Sequence, residues 1–407
     1  ALIFRLHRAK SGLAIVSSYS SMTRYTSSEK QQLPSVIWRI LAVLFLLFVF
    51  LLGVKGLGDG FKLFGKDFLD SFFSLTANPF VGIFVGVLAT TLVQSSSVST
   101  SMIVGLVAAP ENPLPLANAV PMIMGANIGT TVTCTVVSLA HMGRRDEFER
   151  AFSVAGCHDF FNILAVMVLL PLELMTGYLQ STARFLSTVV VGIGGFAYES
   201  PFKALLSFAF TPIQSLAEVM FDVDWGQAVF LVGISAALIF MALWLIVKLM
   251  RSLVISRIET AVAGALGSSA VIAIAIGIIV TVMVQSSSIT TSIMVPLAAA
   301  GVLRLEQAFP IAIGANIGTT ITAMAAALAV SGPNAVAGIE IALVHLFFNL
   351  SGAILIYPVR RIREVPLQAA RMLAAAAVRS KKLALFYVGT MFYGFPALLI
   401  YVTQLLK

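Results

Sequence analysis

Charge is what this sequence has least of. Only 11% of its 407 residues are Asp, Glu, Lys or Arg, and 59% are hydrophobic. A soluble domain is about a quarter charged and about half apolar. With a mean hydropathy of +0.98, the shortage excludes the two or three soluble domains that the length alone would allow. One membrane-embedded body is expected instead. Cysteine is also scarce. Cys134 and Cys157 lie in apolar stretches and read as buried free thiols. No Cys/His cluster has metal-ligand spacing, which excludes a zinc site of that kind. Residues 1–35 lack the long apolar core of a signal peptide. They are polar, Ser-rich and basic, and read as a flexible cytoplasmic tail. The net charge of +8 does not imply a nucleic-acid partner, because the Lys and Arg residues sit in connections between apolar stretches.

A spanning helix needs about 20 mainly apolar residues. The stretches 36–54, 117–140, 151–175, 226–247, 307–330, 339–357 and 383–406 qualify. Residues 185–220 are apolar but broken by Gly194, Gly195, Pro201 and Pro212, so they are two short spans or one re-entrant pair. Residues 55–75 mix Lys55, Asp59, Lys62, Lys66, Asp67 and Asp70 with Phe and Leu, a pattern that predicts an interfacial helix. Two more apolar stretches, 79–109 and 268–300, each carry a polar cluster at the middle. One reads Gln94-Ser95-Ser96-Ser97 and the other Gln285-Ser286-Ser287-Ser288.

The order of features repeats. Gln285 follows Gln94 by 191 residues. Gly125-Ala126-Asn127-Ile128-Gly129-Thr130-Thr131 returns as Gly314-Ala315-Asn316-Ile317-Gly318-Thr319-Thr320, 189 residues on. His158-Asp159-Phe160-Phe161-Asn162 returns as His345-Leu346-Phe347-Phe348-Asn349, 187 residues on. The chain is therefore duplicated. Basic residues favour cytoplasmic loops. Arg144, Arg145 and Arg150 follow the second motif of repeat one, where repeat two has no charge. A dense set from Arg360 to Lys382 follows the third motif of repeat two, where repeat one has only Arg184. The basic loops exchange places, so the repeats are inverted. With a cytoplasmic N-terminus and both Gln-Ser stretches re-entering as hairpins, most of the 26 Lys and Arg residues fall inside. The expected organisation is a cytoplasmic tail (1–35), a first span with an interfacial helix (36–75), a repeat 1 core (76–175, hairpin 79–109), connecting scaffold spans (176–262), a repeat 2 core (263–358, hairpin 268–300), and a basic connection with a last span (359–407).

A re-entrant turn brings irregular backbone to membrane depth, which is tolerated where it lines a cavity. Each new helix begins with unpaired N–H groups and a positive dipole end that favour an anion. The hydroxyls of Ser95, Ser96, Ser97, Ser286, Ser287 and Ser288 add donors, and they can also ligate sodium. The paired Gly residues of 125–131 and 314–320 permit local unwinding. Freed carbonyls, Asn127, Asn316, Thr130, Thr131, Thr319 and Thr320 are hard oxygen ligands suited to sodium. The other reading of Asn127 and Asn316 is that they hold the hairpins by hydrogen bonds. A single Ser/Thr cluster is commonly helix glue, and a single Gly-x-x-x-Gly is as often a packing face. Two copies in inverted register instead match the broken helices and midplane site of secondary transporters. Asp159 has no counterpart, since repeat two has Leu346. Intramembrane carboxylates are costly and are functional candidates by default. Asn162 lies three residues on, so the two could share one sodium. His158 and His345, present in both repeats, read as structural hydrogen-bonding groups.

On the paired Gln-Ser-Ser-Ser, Asn-Ile-Gly-Thr and His-Asp-Phe-Phe-Asn motifs, residues 36–400 resemble the type II sodium–phosphate cotransporter family. The resemblance implies coupled uptake of sodium and inorganic phosphate, with hairpins on a transport unit that moves against a scaffold. In family members the Gln-Ser-Ser-Ser hairpins line the substrate and sodium sites, which implies that role for Gln94–Ser97 and Gln285–Ser288. Together with the reading of the residues, phosphate is expected at Ser95–Ser97, Ser286–Ser288, Asn127 and Asn316, and sodium at Gln94, Gln285, Thr130, Thr131, Thr319, Thr320, Asp159 and Asn162. An Asp at position 159 implies electrogenic transport. The connection 198–226 is short, without the large external loop of animal members, and implies a bacterial inner-membrane protein. Its N-terminus is expected inside and its C-terminus outside. The expected fold class is thus an all-α polytopic membrane protein of two inverted repeats, each with a re-entrant hairpin and a broken helix. It would be no enzyme and need no cofactor, with sodium as coupling ion and the lipid bilayer as its surroundings. A carboxylate or amino-acid substrate, or a channel, are the other readings of the residues. An intramembrane enzyme built on His158 and Asp159 has little to support it, lacking a Ser nucleophile motif or a second ligand pair.

Overall fold

The computed structural model describes residues 38–39, 41–60, 63–64, 71, 73–194, 203–264, 269–330 and 332–405. The described residues contain helices and turns and no strand. The chain divides at Val49 into a short N-terminal unit and a unit from Val49 onward, and the second is described from here. Seven helices among the described residues are long and apolar enough to cross a membrane. They are α1 (Leu41–Gly60), Leu116–Leu139, α6 (Arg145–Thr176), the first part of α9 (Asp224–Gly264), α12 (Leu305–Ala329), α13 (Ala335–Ile356) and Lys381–Leu405. Each coincides with one of the seven stretches read from hydropathy.

Between them lie shorter elements. α2 (Pro79–Val93) and α3 (Ser96–Val107) meet at Gln94, and α10 (Ala270–Val284) and α11 (Ser287–Ala299) meet at Gln285. Residues 116–139 form α4 (Leu116–Gly129) and α5 (Val132–Leu139). The 185–220 region holds two helices, α7 (Tyr178–Gly194) and α8 (Lys203–Met220). α14 (Arg360–Arg379) makes the basic connection. α15 (Lys381–Gly389) and α16 (Phe395–Leu405) are joined by a π-helical turn, Thr390–Gly394. The interfacial helix expected over 55–75 begins otherwise: Lys55 and Asp59 belong to the end of α1 and form an ion pair one turn apart. Residues 61–62, 65–70 and 72 lie outside the described residues, as does the tail expected over 1–35.

Apolar helices gain little from burial against one another in lipid, so close backbone approach must hold them. α2 packs on α4, and α10 on α12, through glycine. A Cβ at Gly86 would stand 2.1 Å from the carbonyl oxygen of Met122, and one at Gly125 1.9 Å from that of Ile83. The same contacts recur in the second copy, where a Cβ at Gly277 would stand 2.2 Å from the oxygen of Ile311 and one at Gly314 2.1 Å from that of Ile274. This corrects the expectation of unwinding. The helix runs unbroken through Gly314–Thr320. In the first copy the helix is interrupted only at Thr130 and Thr131, whose backbones keep right-handed helical angles. The glycines admit a neighbouring backbone and do not free carbonyls.

Candidate functional site

The two Gln-Ser turns have the same geometry. Gln94 and Gln285 both take the left-handed conformation with φ 57°, which costs a non-glycine residue about 1–2 kcal/mol. Each side chain binds locally. Gln94 Nε2 donates to the carbonyl of Thr91 (2.5 Å) and Gln285 Nε2 to that of Val282 (2.7 Å). Each Oε1 in turn accepts from a threonine on the long helix behind it: Thr133 Oγ1 at 3.2 Å for Gln94, and Thr322 Oγ1 at 3.0 Å for Gln285. A glycine would take the backbone angle more cheaply but could make neither bond. The next residue starts the following helix. Ser95 Oγ accepts from the N–H of Val98, and Ser286 Oγ from that of Ile289, both at 3.3 Å. These serines are therefore N-caps. The N–H groups of Ser96, Ser97, Ser287 and Ser288, ahead of the capped ones, have no partner inside their helices.

Both turns line one cavity of about 740 Å³. Gln94, Ser95 and Thr133 face it from the first copy, and Gln285, Ser286 and Ser288 from the second. Phe240, Leu243, Trp244 and Val247 of α9 form an apolar wall, and among the described residues the lining includes no charged side chain. Polarity in the cavity comes from amides, hydroxyls and the positive ends of α3 and α11. Ser96, Ser97 and Ser287 are buried at the helix starts and do not line it.

The remaining expected residues are not on the cavity. Thr130, Thr131, Thr319 and Thr320 donate to carbonyls of their own helices, those of Ala126, Ile128, Ala315 and Ile317. Asn127, Asn162 and Asn316 join instead in a buried network that crosses the repeats. His158 Nε2 lies 2.7 Å from Asn316 Oδ1, Asn316 Nδ2 donates to Asn162 Oδ1 at 2.7 Å, and Asn162 Nδ2 donates to the carbonyl of Asn127 at 2.7 Å. Because the Asn316 amide donates to Asn162, its Oδ1 is the acceptor and His158 Nε2 carries the proton. Asp159 is buried and faces elsewhere. Tyr387 Oη donates to it at 2.9 Å and Thr135 Oγ1 lies 3.3–3.4 Å from its two oxygens. The structure thus gives Asp159 and Asn162 different partners and does not aim them at one ion.

Sequence reasoning missed Thr133, Thr322, Thr135 and Tyr387. The first two were findable, since the 189-residue repeat continues past its seven identities to Thr133 and Thr322. Tyr387 lies beyond both repeats and 228 residues from Asp159, where no pattern marks it.

Long apolar helices around two polar turns that share a cavity define a multi-pass membrane protein. The chain belongs to the Na+/Pi-cotransporter family, whose profile matches residues 49–198 and 238–400. It is 31% identical over 440 residues to sodium-dependent phosphate transport protein 2A of Rattus norvegicus, covering 91% of this chain and 69% of that protein. It is 33% identical over 422 residues to the 2A protein of Ovis aries, covering 86% and 66%. To the 2B protein of Homo sapiens it is 30% identical over 447 residues, covering 88% and 64%. The chain spans about two thirds of the length of these relatives. No solved structure matches it.

Proposed function

We propose that the protein couples sodium influx to uptake of inorganic phosphate, with the substrate bound between the two Gln-Ser turns. The observation that carries this reading is the shared cavity. Two copies of one turn, with matching backbone angles, open into it with the amides and hydroxyls of Gln94, Ser95, Gln285, Ser286 and Ser288, at the positive ends of α3 and α11. Such a surface suits a tetrahedral oxyanion. Among the described residues it offers no fixed cation, so the charge of a desolvated phosphate must be offset by ions that arrive with it. That makes sodium coupling a physical requirement of the site. The α2–α3 and α10–α11 pairs are then re-entrant hairpins, the first entered from outside and the second from inside. Sodium is held by Gln94, Gln285 and the adjacent hydroxyls, and a further sodium by Asp159 with Thr135 and Tyr387. That extra cation makes the cycle electrogenic. The short 198–226 connection and the basic loops fit a bacterial inner-membrane protein with its N-terminus inside and its C-terminus outside. The names of the relatives support phosphate over a carboxylate. The test is radiolabelled phosphate uptake into vesicles reconstituted with the purified protein. Uptake should require a sodium gradient and be inhibited by arsenate; equal uptake with potassium replacing sodium would refute the coupling.

A further inference from the structure

The two helix pairs are alike in sequence and in turn geometry, but they are held differently. At the far end of the second pair, α11 finishes with unpaired carbonyls, as every helix does. Arg150, in the second turn of α6, reaches them. Its Nε lies 3.1 Å from the carbonyl oxygens of both Ala298 and Ala299, and its Nη2 donates to Ala299 at 2.5 Å. A guanidinium there makes charge-assisted bonds and meets the negative end of the helix dipole. The first pair has a matching brace of weaker chemistry. Asn334, at the start of α13, donates from Nδ2 to the carbonyl of Ala109 at 2.6 Å, just past the end of α3. The braces are crossed: the third-motif helix of each repeat grips the helix pair of the other. One brace is a cation and the other a neutral amide.

A second difference lies between the arms. Thr281 Oγ1 donates to Thr290 Oγ1 at 2.9 Å, which ties α10 to α11 across their turn. The corresponding residues of the first pair, 191 earlier, are Thr90 and Ser99. Thr90 Oγ1 is buried without a partner, and Ser99 Oγ donates to the carbonyl of Ser95 in its own helix. The first pair therefore lacks the cross-arm bond, while both pairs hold buried hydroxyls without a partner, those of Thr90 and Thr91 in the first and of Ser292 in the second.

We infer that Arg150 is a positioning residue that fixes the second helix pair to α6, so that the first pair is the wall that moves when the cavity opens. This rests on the proposed transport through that cavity. α6 also carries His158, Asp159 and Asn162, so Arg150 joins the second turn to the same helix that holds the buried Asn network and the carboxylate. Motion of the second pair would break charge-assisted bonds. Motion of the first pair breaks the bond of a neutral amide.

The test is amide hydrogen exchange of the full-length protein in lipid nanodiscs, read by mass spectrometry over 79–107 and 270–299. In wild type the first pair should exchange faster. Arg150→Gln should speed exchange of 287–299 by about tenfold, the loss of one bond to a charged group, with 79–107 unchanged. Arg150→Lys should recover much of the protection, because it keeps the cation. Asn334→Ala should act only on the first pair. In vesicles, Arg150→Gln should raise the phosphate concentration for half-maximal uptake more than it lowers the maximal rate. Equal exchange in the two wild-type pairs would overturn the inference. So would a rise with Arg150→Gln spread evenly over both pairs and α6. Exchange needs no phosphate. An altered 287–299 in a protein that takes up no phosphate even as wild type would leave the brace standing and remove the transport reading.

Discussion

Gln94 and Gln285 show how one residue can serve backbone and side chain against each other. Their left-handed angles favour glycine. Their side chains bind the end of one helix and the hydroxyl of Thr133 or Thr322 behind it. Gly and Ala substitutions separate the two effects. Gln94→Gly loses the bonds but relieves the backbone, so its thermal unfolding should stay near that of wild type. Gln94→Ala loses the same bonds and keeps the strain, and should be less stable than the Gly variant by about 1 kcal/mol. Both should lose sodium-dependent uptake, because the turn then has no fixed amide. Equal melting of the two variants would show that φ 57° carries no cost there. At this scale the sequence was informative about which residues matter and silent about their division of labour. Three consecutive serines look alike in a string. The helix start makes Ser95 and Ser286 caps, buries Ser96, Ser97 and Ser287, and turns Ser288 to the cavity.

At the scale of elements, hydropathy located the seven long helices because a bilayer leaves few other solutions for a long apolar stretch. It could not tell what glycine does inside one. A Gly in a spanning helix either frees its backbone or admits another. The choice is decided by the partner segment, which a motif read alone does not include. The partner was visible in the sequence, since Gly86 returns 191 residues later as Gly277. Gly277→Ala should therefore destabilise the protein by about 1–3 kcal/mol, the usual cost of overpacking. Its Cβ would meet the oxygen and backbone of Ile311 and Gly314, which cannot turn aside as a side chain could. Gly233→Ala, where a Cβ meets nothing within 4 Å, should instead stabilise α9 slightly, by about 0.5–1 kcal/mol. Thermal unfolding of both in the same detergent checks the pair. A Gly277→Ala protein that melts with the wild type would mean that α10 and α12 are not held by that approach.

At the scale of the molecule, the duplicated His-x-Phe-Phe-Asn motif is broken by a carboxylate, Asp159, and the last span comes from outside the duplication to meet it. Asp159 has Leu346 as its counterpart, and its partner Tyr387 lies on α15, just before the π-helical turn of Thr390–Gly394. Two identical repeats would move the same ions by symmetry. A sodium held by a charge present in only one of them, as proposed, would change the charge carried per cycle. Asp159 was legible from sequence as the odd residue in a repeat; its partners were not, because they come from elements with no matching motif. The proposed sodium between Asp159, Thr135 and Tyr387 predicts graded behaviour. Asp159→Gly removes the carboxylate and should leave phosphate uptake active but nearly insensitive to an inside-negative potential. Tyr387→Phe keeps the ring, which packs edge-on against Phe152 and Phe392, and removes only the hydroxyl. It should keep the potential dependence while raising the sodium concentration for half-maximal uptake by up to about tenfold, the worth of one buried polar contact. The measurement is uptake into vesicles with a valinomycin-set potential, at varied sodium, for wild type and both variants. If Asp159→Gly responds to potential as the wild type does, the carboxylate binds no coupling ion. The Tyr387–Asp159 hydrogen bond is then a tie between the last span and α6, and Tyr387→Phe should lower thermal stability without moving the sodium dependence.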